Sequence, residues 1–139
     1  MDQLQKFWDS VKNEDTAILA TSANNNVTMR TISPVYYKDA ILIFTSPESQ
    51  KYKQLKENSA CCVAIGGCFL EANAELLGPT MQNKNTHLRD VYTKKFNDAF
   101  DETVEHGGCE SDFVLLNPLR ITGWVFESGM PTSPLEYTF

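Results

Sequence analysis

The sequence predicts a mainly β fold, an antiparallel barrel or sandwich with short helices at its margins, and three observations carry that prediction. Short apolar runs recur along the chain, most of them separated by turn residues and not by helices. Only a few segments show helical spacing. The strand–helix–strand alternation that a doubly wound parallel sheet needs is missing, and the coarse order is α-β-β-β-α-β-β-α-β-β.

Leu4, Phe7, Trp8 and Val11 recur at helical spacing, so the N-terminal segment reads as an amphipathic helix with Asp2, Lys6, Ser10 and Lys12 outward. Thr16–Thr21 is a short apolar strand, and Ser22 to Asn26 supplies turn residues that tolerate left-handed backbone. Val27–Tyr37, rich in β-branched and aromatic residues, is a second strand that forms a hairpin with the first. Lys38-Asp39 is the next tight turn, and Ala40–Thr45 the third strand. Ser46 followed by Pro47, with Glu48 close behind, is a helix start signal, so Ser46–Lys56 reads as a short helix. Ala60–Ile65 and Phe69–Leu77 are strands around a Gly66-Gly67 turn. From Thr86 to Phe100 the pattern is helical, with Leu88, Val91, Tyr92, Lys95, Phe96, Ala99 and Phe100 on one face. Thr103–Glu110 reads as a loop, Phe113–Leu116 and Leu119–Phe126 as two strands around Asn117-Pro118, and Gly129–Phe139, with its two prolines, as an extended arm.

With 139 residues, of which 42% are hydrophobic, the chain is expected to form a single domain over residues 1–139 with a core of its own. The net charge of -6 argues against a duplex nucleic-acid partner, whose affinity comes largely from Lys and Arg on phosphates, and leaves open a local basic site for one small anion. Cys61, Cys62, Cys68 and Cys109 form no C-x-x-C pair and no zinc spacing, so no metal site is expected. Cys61 and Cys62 are adjacent in an apolar run, where strand alternation points them to opposite faces. The N-terminal residues lack the apolar stretch of a signal peptide and no window reaches the length of a membrane span, so the expected localisation is cytoplasmic, with reduced thiols.

The residues most able to carry chemistry lie between Met29 and Lys53. Arg30 sits in an otherwise uncharged strand, and Lys51 opens the helix beyond Thr45. If strands two and three lie side by side, Arg30, Thr45, Ser49 and Lys51 are gathered at one place. There the planar donor fork of Arg, the point charge of Lys and the hydroxyls at a helix start suit a phosphate. Each residue alone has an ordinary role, since a strand Arg is commonly solvated or ion-paired and a helix Lys usually lies on the surface. Their joint placement singles them out. His87 and His106 read as surface residues, Glu71 and Glu75 share a strand face without an acid–base signature, and Cys68 has no adjoining cation to activate it.

The runs Met29-Arg30-Thr31-Ile32-Ser33-Pro34-Val35, Ile43-Phe44-Thr45-Ser46-Pro47-Glu48-Ser49-Gln50-Lys51 and Leu55-Lys56-Glu57-Asn58 resemble the FMN-binding split barrels of the pyridoxamine 5'-phosphate oxidase-like superfamily, in particular its short, general-stress-protein-like members. The resemblance implies an antiparallel split β-barrel in which Arg30 and Lys51 grip the FMN 5'-phosphate. It implies that the backbone of Thr31, Ile32 and Ser33 faces the isoalloxazine edge, that Phe44 and Thr45 line the cofactor, and that Ser49 adds a hydroxyl to the phosphate. Gln50 stands where many relatives carry Arg, which removes one cationic contact. A homodimer with FMN at its interface is implied, with Trp124 expected to wall the flavin of the second chain and Asn73 a candidate amide donor.

The implied function is an FMN-binding oxidoreductase, a reductase of flavin or of small electrophiles using NAD(P)H. The pyridoxamine oxidase reaction itself fits less well, because the arm Gly129–Phe139 lacks the arginine- and histidine-containing tail of the true oxidases. No catalytic acid or base stands out. A reading from a different class is a non-catalytic module that holds flavin, haem or a deazaflavin.

Overall fold

The computed structural model describes residues 2–100 and 110–139. Its elements are α1 (Gln3–Asn13), β1 (Ala17–Ala23), β2 (Asn26–Ile32), β3 (Val35–Tyr37), β4 (Ala40–Thr45), α2 (Gln50–Glu57), β5 (Ala60–Ile65), β6 (Cys68–Pro79), α3 (Thr86–Lys95), β7 (Asp112–Glu127) and β8 (Met130–Thr138), with a 3-10 turn before α3. The strands form one sheet in the order β2-β1-β5-β6-β7-β4-β3, with β8 added alongside β7. Every pairing is antiparallel. The mainly antiparallel architecture with three helices is the fold class expected.

The two ends of the strand path, β2 and β3, are consecutive in the chain. The expected single strand Val27–Tyr37 breaks at Ser33-Pro34: up to Ile32 it pairs with β1, and from Val35 it pairs with β4. Pro34 has no N–H to offer a ladder, so the break falls where pairing is interrupted anyway. This short bend joins the two edges of the sheet and closes it into a split barrel. Helix α3 pins the bend. The Tyr92 hydroxyl donates to the Ser33 carbonyl at 2.7 Å, and Lys95 Nζ donates to Pro34 O at 2.7 Å, Val11 O at 2.8 Å and Glu14 O at 2.6 Å.

Strand alternation sends Leu19, Val63, Leu70 and Ile121 inward with Ile43, Val114 and Leu116. Phe7, Trp8 and Val11 of α1 and Tyr52 and Leu55 of α2 join this core. A second apolar cluster, with Leu42, Phe113, Leu88, Tyr92 and Phe100, packs α3 against β3, β4 and β7. The turns Asn24-Asn25 and Lys38-Asp39 hold positive φ at both central residues, as two-residue hairpins need. Gly67 and Gly123 meet backbone to backbone: a Cβ on Gly123 would stand 2.5 Å from the Gly67 carbonyl oxygen.

Four boundaries differ from the sequence reading. Helix α2 starts at Gln50, because Ser49 and not Ser46 supplies the cap, its Oγ accepting from the Tyr52 N–H. Asn117-Pro118 does not interrupt β7: the register shifts between Glu71 and Ala72, so that Leu119 is accommodated as an extra residue and Pro118 faces Ala72. The arm is a true strand, β8, whose Pro131 and Pro134 are tolerated because it pairs on one side only. Helix α3 stops at Lys95, where the Phe96 N–H closes on Tyr92 O. Cys61 is buried and Cys62 exposed, as alternation requires, while Cys109, His106 and most of the Thr103–Glu110 loop lie outside the described residues.

Replacing Lys95 by Met removes the ammonium that three carbonyls share, and is expected to lower stability by about 2 kcal/mol. The measurement is the urea midpoint at unchanged slope, and an unchanged midpoint would refute the role given to this latch.

Candidate anion and cofactor site

Arg30 pairs with Leu19 across the β1–β2 ladder, and Thr28 pairs with Thr21. Leu19 and Thr21 are buried, so alternation turns Arg30 and Thr28 to the same inward face. A guanidinium there needs partners, and it has them. Nη1 donates to Leu19 O at 3.1 Å and Thr21 Oγ1 at 2.8 Å, and Nη2 donates to Thr28 Oγ1. Arg carries five N–H donors. The Nε–H therefore remains without a partner among the described residues, and no buried side-chain nitrogen or oxygen is left unsatisfied there, so this donor reaches solvent.

Lys51 is the second residue of α2, the helix that packs against β1. It is half-buried. Among the described residues neither Lys51 nor Arg30 belongs to an ion pair. Burial and then the Arg30 charge hold the Lys51 ammonium below its ordinary value, and burial lowers the Arg30 guanidinium as well. Two neighbouring cations without a carboxylate repel each other, and an anion bound between them reverses that cost.

The start of α2 is fixed by hydroxyls. Thr45, buried at the end of β4, has Oγ1 3.0 Å from Ser49 Oγ, which also accepts from the Tyr52 N–H at 3.3 Å. The Tyr52 hydroxyl donates to Asp112 Oδ2 at 2.7 Å; burial, then this bond and the nearby carboxylate charge, push its pKa up to about 12. Ser49 and Thr45 thus set where Lys51 stands.

The structure makes Arg30 and Lys51 neighbours, with Thr45 and Ser49 at the start of the helix that carries Lys51, by a route that differs from the expected one. Arg30 lies in the part of the long strand that pairs with β1, not with the third strand, and it approaches Lys51 because α2 folds back over β1. Thr31 and Ser33 follow Arg30 as exposed residues, with Ile32 buried in the core between them. Gln50 is exposed at the first position of α2 and lines a groove of about 330 Å³ with Asn24, Lys53 and Gln54. Phe44 lies elsewhere: it packs against Tyr92, Phe100 and Phe113, with ring centroids 5.0, 4.9 and 6.4 Å away. Trp124, 46% exposed, stands on β7, which does not pair with the strand that carries Arg30. Asn73 is exposed on β6 between Ala60 and Asn117.

Sequence reasoning missed Thr21, Thr28 and Gln54, which hold Arg30. Both threonine hydroxyls reach Gln54 Oε1, Thr21 at 2.5 Å and Thr28 at 2.7 Å. A signal existed. A two-residue Asn24-Asn25 turn sets Thr21 opposite Thr28, and Gln54 falls between the core residues Tyr52 and Leu55 of a short helix.

No family model and no curated protein matches the sequence. Among solved structures the chain is similar to general stress protein 26 from Bacillus anthracis, at 14% identity over 100% of both chains with a TM-score of 0.75. It is similar to a pyridoxamine 5'-phosphate oxidase-like protein from Listeria innocua, at 13% identity over 86% of this chain and 96% of that one, with a TM-score of 0.68. It is also similar to HutZ, the haem storage protein from Vibrio cholerae, at 12% identity over 88% and 95% of the two chains, with a TM-score of 0.72. At such identities the likeness is one of fold. The chain is a split barrel of the pyridoxamine 5'-phosphate oxidase-like fold.

The lowered Lys51 ammonium leaves more of that amine unprotonated, the form that acylation needs, at a given alkaline pH. Mild acylation at alkaline pH, followed by peptide mass analysis, is expected to label Lys51. Arg30→Gln is expected to slow that labelling by removing the neighbouring charge; an unchanged rate would show that the two cations do not interact.

Proposed function

We propose that this chain binds FMN, holding the 5'-phosphate between Arg30 and Lys51, and acts as an FMN-dependent oxidoreductase that reduces a flavin or a small electrophile with NAD(P)H. One observation carries the reading: a half-buried Arg–Lys pair, without an ion-pair partner among the described residues, in which the guanidinium Nε–H stays unpaired and open to solvent. A phosphate monoester has the charge and the acceptors that such a pair lacks. When bound, the flavin supplies the hydride or electron transfer. The chain binds and orients. Ser49 and Thr45 fix the helix start that carries Lys51, and the proposed ring-edge segment Thr31–Ser33 is held by the Tyr92 and Lys95 bonds at its end.

The outward face of the sheet supports a homodimer. Met29 on β2 is 69% exposed, Phe69 on β6 58% and Trp124 on β7 46%, and the row Thr31, Ile18, Ala64, Phe69, Thr122 crosses five paired strands. Large apolar side chains set together on a sheet face are a docking surface. In a dimer Trp124 of one chain would serve as a wall for the flavin of the other. Among the described residues no helix is long and apolar enough to cross a membrane.

A second reading, a non-catalytic haem or flavin carrier, draws support from the fold likeness to HutZ and from Gln50, which leaves the phosphate with two cations and not three. Turnover separates the two: NAD(P)H oxidation by FMN-loaded protein with added acceptors favours the reductase, and a stable Soret band with haem and no turnover favours the carrier.

Flavin fluorescence titration is expected to show FMN bound more tightly than riboflavin, with Lys51→Ala weakening FMN by about tenfold and riboflavin little. Equal affinity for the two flavins, or an unaffected variant, would overturn the phosphate assignment. Sedimentation is expected to give a dimer at micromolar concentration and a monomer for Phe69→Arg; a monomeric native protein would sink the interface.

A further inference from the structure

Gln54 is buried on α2 one turn beyond Lys51, and through two threonines it touches the guanidinium of Arg30. We infer that Gln54 is a positioning and specificity-determining residue of the anion site: its uncharged amide fixes Arg30 without neutralising it, which leaves the guanidinium free to pair with an external phosphate. The inference rests on the phosphate reading given above and deepens it.

Proton accounting fixes the direction of every bond. Arg30 can only donate, so the oxygens of Thr21 and Thr28 accept from it. Each threonine has a single hydroxyl proton, and the nearest acceptor is Gln54 Oε1, at 2.5 Å from Thr21 and 2.7 Å from Thr28; the two hydroxyls lie farther from each other, at 3.4 Å. The amide oxygen is thereby assigned. The amide nitrogen then points to the Asn26 carbonyl at 3.4 Å, and a flipped amide would set that carbonyl against an oxygen and leave at least one of the two hydroxyl protons without an acceptor among these groups.

The charge of residue 54 decides what Arg30 is for. A glutamate would accept the same two hydroxyl protons and put a negative charge one hydroxyl away from the guanidinium, making Arg30 half of an internal ion pair. Its second oxygen would also face the Asn26 carbonyl. Glutamine supplies the same geometry with no charge. Because Gln54 and Lys51 share one short helix, the same amide also fixes the two cations relative to each other.

The test is Gln54→Glu, with FMN and riboflavin titrated in parallel and the melting temperature recorded. The expected result is an FMN-to-riboflavin preference lowered by about tenfold, with riboflavin affinity nearly unchanged. A role in packing alone would weaken both flavins equally, and that outcome or an unchanged preference overturns the inference. Should Gln54→Glu fail to fold, Thr28→Val cuts the same relay at a half-buried position, and an unchanged preference there overturns it as well. A native protein that does not distinguish FMN from riboflavin removes the phosphate reading itself. The inference then stands or falls on Lys51 acylation without flavin: a new carboxylate beside Arg30 slows it in Gln54→Glu, and an unchanged rate refutes the effect of charge at residue 54.

Discussion

The fold depends on one bend. Between Ile32 and Val35 the chain leaves the β1 edge of the sheet and joins the β4 edge, so a covalent crossing and not a ladder holds the two end strands, β2 and β3, to each other. Nothing in the bend itself is strong: Pro34 brings no donor, and Ser33 is exposed. The hold comes from α3, where a tyrosine hydroxyl and a lysine ammonium take the two carbonyls that the interrupted ladder leaves over. The same ammonium takes carbonyls at the end of α1, Val11 and Glu14, so a single charge ties together three parts of the molecule distant in sequence. Charge-assisted bonds to carbonyls suit this task because they tolerate the irregular geometry of a bend better than a ladder does.

The candidate site inherits its geometry from this closure. Arg30 lies two residues before the end of β2, so the bend that closes the barrel also fixes how the strand edge beyond Arg30 is presented. On the other side α2 is fixed by its hydroxyl cap and by the Tyr52–Asp112 bond to the start of β7. The two cations therefore stand on separately anchored elements, and the amide of Gln54, through Thr21 and Thr28, ties the helix of one to the strand of the other. A site built in this way is ordered before a ligand arrives, which lowers the cost of binding.

Much of this was legible in the sequence. The strands were readable because their apolar runs are short and their turns are spelled by Asn24-Asn25, Lys38-Asp39 and Gly66-Gly67, residues that accept positive φ. Arg30 was readable as a cation in an otherwise uncharged strand, and Lys51, one of three lysines of its helix, only through its joint placement with Arg30, Thr45 and Ser49. What was not legible is long-range. Whether Val27–Tyr37 stays one strand depends on which partner each half finds, and those partners, β1 and β4, lie on either side of it in sequence. Pro118 reads locally as a break, and only the register shift opposite Ala72 lets β7 run through it. Phe44 alternates with Thr45, and its place in the aromatic cluster around Tyr92 and Phe113 depends on partners far away in sequence.

The strand order also has a kinetic consequence. The hairpins β1–β2, β3–β4 and β5–β6 are local and can zip early, but β1 pairs with β5 across the whole of β2 to α2, and β6 pairs with β7 across α3. Loop closure over such spans comes before any reward in contacts, which places the chain among the slower-folding topologies. The crossing between β2 and β3 is held by the docking of a helix, and a nascent chain that has not yet emitted Tyr92 and Lys95 carries the strands before it without the clasp.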